Sequence, residues 1–122
     1  MLKHNMVNNN ILEESLLLAA DTVKEEAKDQ ATKMIADLFK SAILKKYKDA
    51  FDEELTKGEV QKKNIDKSVE FCYTDICVYI RQCSTMQDDE KDDLIQKGKE
   101  VIPTIKGIVT QILLDKGVKI FN

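Results

Sequence analysis

The sequence predicts an all-α protein, folded as an antiparallel bundle of three or four helices with a kinked C-terminal helix. Its 122 residues include only four glycines and one proline, whereas all-β folds and nucleotide-binding α/β folds need many turns and glycine-rich loops. Apolar residues recur at steps of three and four over long segments, which is the spacing of a helix face. Short polar segments separate these stretches, as expected for helices that pack side by side.

Residues 1–122 are predicted to form one domain, because two domains sharing this length would each be too small to bury a sufficient core. Hydrophobic residues make up 43% of the chain and charged residues 34%, enough for a core and a solvated surface. Residues 1–9 lack periodicity and are expected to be loosely ordered. The only histidine, His4, lies in this lead-in, which disfavours histidine-based triads and metal sites.

The charge of the chain and the length of its apolar runs indicate which partners and which cellular location to expect. The net charge is −3, and Arg81 is the only arginine, so we expect no nucleic-acid partner. The apolar run at residues 16–20 is short and follows Glu13 and Glu14, unlike a signal peptide. No apolar run approaches the roughly 20 residues that span a bilayer. We therefore expect a cytoplasmic protein without a membrane span.

The first helical pattern begins after Asn10, a candidate N-cap with Glu13 three residues later. Small and apolar residues then form one stripe: Leu12, Leu16, Ala20, Val23, Ala27, Ala31, Met34 and Leu38. Because no glycine or proline occurs between Asn10 and Lys57, a single helix of about 45 residues would be about 70 Å long. A domain of this size has a radius of gyration of about 14 Å. We therefore expect a break near Lys28–Thr32; the alternative is a protruding helix that needs a partner.

A second helix is predicted from roughly Glu59 to Cys83. Gly58 precedes it at a plausible position for ending the previous helix. Residues 84–88 form the next turn. Within that turn, Thr85 and Asp88 are spaced as a capping box for the last helix.

The last helix is predicted to run to about Lys116, with Gly117 as its cap. Its stripe consists of Leu94, Gly98, Val101, Ile105, Ile108 and Ile112. Since the stripe continues through Pro103, we expect one kinked helix; a break at 98–99 is the alternative. The tail, residues 118–122, is apolar enough to pack back on the body.

The bundle is organised around the helix that ends at Cys83. On a helical wheel its main apolar stripe contains Ile65, Val69, Cys72, Ile76, Tyr79, Ile80 and Cys83. Phe71 and Val78 fall on the opposite side, among polar residues. In one account, which we favour, the helix is central and both sides are packed. In the other, Phe71 and Val78 are exposed and form a partner site.

The three cysteines of this helix, Cys72, Cys77 and Cys83, do not indicate chemistry. Cys72 and Cys83 are about 16 Å apart along a helix, too far for a disulfide. The spacing matches no zinc site, and a catalytic thiolate would need a base. Acidic clusters have lysines at helical spacing or lie at caps, as on solvated faces. We therefore predict no enzyme, with no catalytic, metal or cofactor-binding residues.

The favoured functional hypothesis is a non-enzymatic protein-binding module of the inhibitor, immunity, chaperone or adaptor type. Its predicted contact residues are Phe71, Val78, Asp75, Gln82 and Tyr73. The partner is another protein or a second copy of this chain, which would pair through the stripe from Leu16 to Leu38.

The alternative is a carrier of a small apolar ligand, with no cofactor. Its pocket would lie in the bundle core. Its lining would consist of Cys72, Ile76, Tyr79, Ile112 and Met34.

Overall fold

The computed structural model describes residues 11–46 and 57–122. In these residues the element order is α1 (Ile11–Glu26), α2 (Gln30–Lys46), β1 (Glu59–Gln61), α3 (Lys62–Arg81), α4 (Asp88–Asp115) and β2 (Lys119–Phe121). The four helices pack against one another, which confirms the predicted all-α bundle. The lead-in at 1–9, with His4, and the predicted N-cap Asn10 lie outside the described residues.

A short break divides the first helical pattern into α1 and α2. Residues 27–29 separate the two helices and overlap the predicted break at Lys28–Thr32. Asp29 explains where α2 begins: its carboxylate accepts hydrogen bonds from the Thr32 backbone N–H at 2.9 Å and from the Thr32 hydroxyl at 2.8 Å. This satisfies one of the backbone donors that a helix start leaves unpaired.

Ion pairs show that α1 and α2 run antiparallel. Lys24 pairs with Asp37 at 2.9 Å, and Asp21 pairs with Lys40 at 2.8 Å. The partner's number rises along α2 as it falls along α1. The side chains of both pairs are about half exposed, so each pair contributes less than about 1 kcal/mol, and apolar packing holds the hairpin together.

The predicted start of the second helix at Glu59 is wrong. Residues 59–61 form β1, which pairs in parallel with β2 so that Val60 lies opposite Ile120. The tail therefore packs back on the body as a strand. Val60 and Val118 are buried at this sheet. An isolated strand pair is only marginally stable, and this burial against the helices stabilises it.

Helices α3 and α4 form a second antiparallel hairpin. A hydrogen bond joins Tyr73 to Ile95, and ion pairs join Glu70 to Lys106 and Arg81 to Asp92.

The capping box predicted from Thr85 and Asp88 is wrong. The Glu90 carboxylate accepts the Gln87 backbone N–H at 2.9 Å, because α4 begins at Asp88 and Gln87 is the residue before it. Thr85 instead contacts the Cys83 thiol in the turn.

Helix α4 ends at Asp115, one residue before the predicted end, and Gly117 caps it as predicted. This glycine has a φ of 85°, a left-handed conformation that other residues rarely adopt. Its N–H donates to Leu114 and the N–H of Val118 donates to Leu113, which is the Schellman pattern. The helix is continuous from Asp88 to Asp115, so a break at 98–99 is wrong, while the kink at Pro103 stays a prediction.

One apolar cluster fills the bundle. Its largest fully buried side chains are Phe39, Leu12, Leu16, Ile35, Ile43, Ile65, Ile76, Ile80, Ile105, Leu113 and Val60. The α1 part of the predicted stripe from Leu16 to Leu38 therefore fills the core of its own chain and is not available for self-association. Met34, from the same stripe, is 43% exposed, because α2 starts afresh after the break and turns this position outward.

Candidate functional site

Helix α3 has one face in the core and one face in solvent. The core face consists of Ile65, Val69, Cys72, Ile76 and Ile80, all buried. Their spacing of four, three, four and four residues keeps them within one side of the helix. They meet α2 and α4, both of which pack on α3.

Three large side chains of α3 are exposed, two of them opposite the core face and one at its edge. Phe71 is 58% exposed, Val78 is 50% exposed and Tyr79 is 58% exposed. The account in which both sides of this helix are packed is therefore wrong for Phe71 and Val78. Tyr79 was predicted in the core stripe, but it lies at the edge of that stripe, where a side chain with a polar tip turns to solvent.

Two predicted polar residues share this side of the helix. Phe71, Asp75, Val78 and Gln82 follow one another at steps of four, three and four residues, which is one helical stripe. Asp75 is half-buried and Gln82 is exposed. Together with Tyr79, these residues are called the outer α3 surface below.

Tyr73, also predicted as a contact residue, lies elsewhere. Its hydroxyl donates to the Ile95 carbonyl of α4 at 3.0 Å. Its ring lies so close to Gly98 that a Cβ built there would be 3.0 Å from Cε1. Burial, together with the Cys77 thiol, raises the pKa of Tyr73 to about 12. Tyr73 therefore secures α3 to α4 and is not part of the outer α3 surface.

A shallow groove adjoins the outer α3 surface where α3 meets α2. Its volume is about 110 Å³. The lining residues are Leu38, Ser41, Ala42, Lys45, Asp75, Ile76 and Tyr79. Of those from α2, Leu38 ends the stripe that was predicted to pair two copies. Ser41, Ala42 and Lys45 were not predicted as site residues, because the periodicity of one helix does not show which helix will lie beside it.

The predicted ligand pocket in the core is not assembled by the residues proposed for it. Met34 and Tyr79 are exposed, Ile112 is half-buried, and Cys72 and Ile76 are packed in the core. Pockets for small ligands have volumes of about 300 Å³ or more, whereas the groove beside Tyr79 is about a third of that size.

The three cysteines are free thiols in different surroundings. Burial, followed by the nearby Asp75 carboxylate, raises the pKa of Cys72 to about 11. Cys83 lies in the turn after α3, where hydrogen bonds from Thr85 lower its pKa. The Cys83 thiol is half-buried and contacts the Thr85 hydroxyl, so it is more reactive than the buried Cys72 thiol. No catalytic base accompanies it in the turn.

We also searched residues 11–46 and 57–122 for metal sites and membrane-spanning helices. No group of three His, Cys, Asp or Glu side chains is arranged there to hold a metal ion. Among the helices that the structure describes, none has both the length and the apolar content to cross a bilayer.

Comparison with known proteins identifies no relative. No known protein family, characterised protein or solved structure matches the chain significantly.

Proposed function

We propose that the chain is a non-enzymatic protein-binding module that engages its partner through the outer α3 surface. The observation that carries this proposal is the exposure of Phe71, Val78 and Tyr79 on one side of a helix whose other side is fully packed. Single exposed apolar residues are normal. Three large ones on the same helix side are costly to leave in water, and such surfaces typically bind other proteins.

The composition of this surface suits a protein partner. Aromatic side chains supply large contact areas at protein interfaces, and polar groups at the rim set the register. Here Phe71 and Tyr79 are the aromatic anchors, and Asp75 and Gln82 are the polar neighbours. The proposal includes a cytoplasmic location and an inhibitor, immunity, chaperone or adaptor type of role. A second copy of the chain would use the same surface. Among residues 11–46 and 57–122, no observation of comparable weight favours a small-ligand carrier.

The test combines two serine substitutions on the surface, Phe71→Ser and Val78→Ser. A matched control carries Leu44→Ser and Leu114→Ser, which are 64% and 47% exposed on other helices. Because all four side chains are solvated, we expect both double variants to stay folded, within about 1 kcal/mol of the native chain.

Tagged versions of the three proteins are then used to capture partners from cells, and their self-association is followed by analytical ultracentrifugation. We expect the first double variant to lose a partner, or to lose dimer, that the native chain and the control retain. Equal capture and equal sedimentation by all three proteins would contradict the proposed surface.

A further inference from the structure

The two-stranded sheet has a free edge along β2. In residues 11–46 and 57–122 this sheet consists of β1 and β2 alone. The Lys119 N–H donates to the Gly58 carbonyl at 2.9 Å, on the side of β1. Because successive residues of a strand direct their backbone groups to opposite sides, the N–H and C=O of Ile120 are directed away from β1. An outer edge of this kind is a template on which another extended segment can pair.

The side chains of β2 divide between the two faces of the sheet. Ile120 is half-buried, opposite the fully buried Val60, on the face that the helices cover. Lys119 and Phe121 lie on the other face and are exposed. A segment that pairs with β2 therefore places alternate side chains beside Ile120, on the helix side, and beside Lys119 and Phe121, on the solvent side.

The sheet lies at a basic end of an acidic chain. The strands and their flanks, residues 57–63 and 115–121, contain five lysines against Glu59 and Asp115, a net charge of +3, whereas the whole chain carries −3. All five lysines are exposed: Lys57, Lys62, Lys63, Lys116 and Lys119. In the part of the chain that the structure describes, none of them forms an ion pair. Their positive potential therefore extends into solvent around the free edge, where it attracts anionic groups.

We propose that the outer edge of β2 binds an extended acidic segment of a partner protein, which adds to the sheet as a third strand. The segment exchanges backbone hydrogen bonds with Ile120, as in other cases of strand addition. It carries apolar side chains beside Ile120 and acidic side chains beside Lys119. A second copy of the chain fits less well, because two ends that each carry +3 repel each other. The site adjoins the start of α3 at Lys62, and it does not depend on the outer α3 surface.

The probes are three peptides of about nine residues, blocked at both ends, in which valine alternates with glutamate, glutamine or lysine. Their affinities for the full chain are measured by fluorescence anisotropy at ionic strengths of about 0.05 M and about 0.5 M. At low salt we expect the glutamate peptide to bind about tenfold more tightly than the glutamine peptide, and the lysine peptide to bind most weakly. High salt should reduce these differences, because it screens exposed charges.

Two substitutions at Ile120 test strand pairing itself. Ile120→Pro removes the outward N–H and leaves the Lys119 N–H that bonds to β1. Proline is tolerated in an edge strand where the N–H faces solvent, so we expect the variant to stay folded by circular dichroism. Its affinity for the glutamate peptide should fall about tenfold or more. Ile120→Val keeps the N–H and should change this affinity less than about twofold.

A substitution at Lys119 tests the preference for acidic segments without altering the backbone. At low salt Lys119→Gln should weaken the glutamate peptide about threefold and leave the glutamine peptide unchanged. The matched control is Lys99→Gln. Lys99 is exposed on α4, about 24 Å along the helix from its end at Asp115. This control should change neither affinity.

Several results would overturn the inference. If Ile120→Pro binds the glutamate peptide as tightly as the native chain does, the attraction is nonspecific and no strand is added. Equal affinities of the glutamate and glutamine peptides at low salt, an equal effect of Lys99→Gln, or no binding by any peptide contradict the acidic partner. Tighter binding of a single-stranded oligonucleotide, or self-association that Ile120→Pro abolishes, assigns the edge to a different partner.

The two binding surfaces are tested independently. Phe71→Ser with Val78→Ser, which tests the outer α3 surface, should leave the affinity of the glutamate peptide unchanged. Ile120→Pro should likewise leave intact any partner captured through the outer α3 surface. Loss of the glutamate peptide on the two serine substitutions would show that it binds at the outer α3 surface, and the inferred strand addition would be wrong.

Discussion

The two sides of α3 contain similar residue types in opposite surroundings, one side buried and the other exposed. On the inner side, Cys72 and Ile76 are buried in the core and Tyr73 donates a hydrogen bond to α4. On the outer side, Phe71 and Val78 have the same apolar character but are exposed, and none of the four described helices covers them. Side-chain type alone therefore does not separate buried from exposed residues in this helix. The positions of α2 and α4 around it do.

The largest expected contrast between the two sides is in stability. Ile76→Ala removes a buried side chain, leaves a cavity between α3 and its neighbours, and should lower the free energy of unfolding by about 2–5 kcal/mol. Val78→Ala, two residues later on the outer side, should change it by no more than about 0.5 kcal/mol. Urea unfolding followed by circular dichroism measures both values. Similar losses for the two variants would show that the outer side is also packed in solution.

The sequence predicts features that arise within one segment better than features that depend on contacts between distant segments. Helix positions and most of the α3 core stripe follow from apolar spacing within a segment. The strand pair does not, because Val60 and Ile120 meet across some sixty residues of chain and three-residue strands carry no periodicity of their own. The sequence also did not show that Gln87 and Glu90, and not Thr85 and Asp88, form the capping box. The two pairs are only two residues apart, and the exact start of the helix decides which pair can form it.

The candidate site was predicted in part. The spacing of Phe71, Asp75, Val78 and Gln82 placed them on one side, but only the positions of the other helices showed that this side is open. Tyr73 was assigned to that surface because it is aromatic and lies near Phe71 in the sequence. Its hydrogen bond to Ile95 joins residues 22 positions apart, and no local pattern indicates it.

Cys72, on the inner side of α3, should make the free energy of unfolding fall at alkaline pH. The neutral Cys72 thiol has a pKa of about 11 in the folded chain, whereas a thiol in the unfolded chain has a pKa of about 8.5. The unfolded state thus loses this proton at a lower pH than the folded state. The associated stability is complete below about pH 8.5 and is lost as the pH rises toward 11.

Cys72→Ala removes this titration and so tests its origin. Unfolding free energies are measured in reductant at about pH 8 and about pH 10.5. Across this range the native chain should lose about 2 kcal/mol more than the variant. Cys77→Ala changes a thiol that is only half-buried and serves as the comparison. Identical pH dependence in the native chain and Cys72→Ala would show that Cys72 is solvated in the folded protein.

The smallest effect, and the most specific test of the inner side, concerns two glycines of α4. Alanine is favoured over glycine inside a helix by about 1 kcal/mol. At Gly107, which is exposed and has no neighbour within 4 Å of the new Cβ, alanine should stabilise the protein by about 0.5–1 kcal/mol. At Gly98 the new Cβ would lie 3.0 Å from the Tyr73 ring and 3.2 Å from Ile35. The Tyr73 hydroxyl is bonded to Ile95, so the ring cannot turn aside without losing that bond.

Overpacking of this kind costs about 1–3 kcal/mol, which exceeds the helix-propensity gain at the same position. Gly98→Ala should therefore lower the free energy of unfolding by about 1 kcal/mol, opposite in sign to Gly107→Ala. Adding Tyr73→Leu to each variant distinguishes close packing from any general effect of alanine. The leucine leaves room beside residue 98, so the loss caused by Gly98→Ala should shrink in the Tyr73→Leu background, while the gain from Gly107→Ala should be the same in both backgrounds. If Gly98→Ala stabilises the native chain as much as Gly107→Ala does, the Tyr73 ring does not hold α3 this closely against α4.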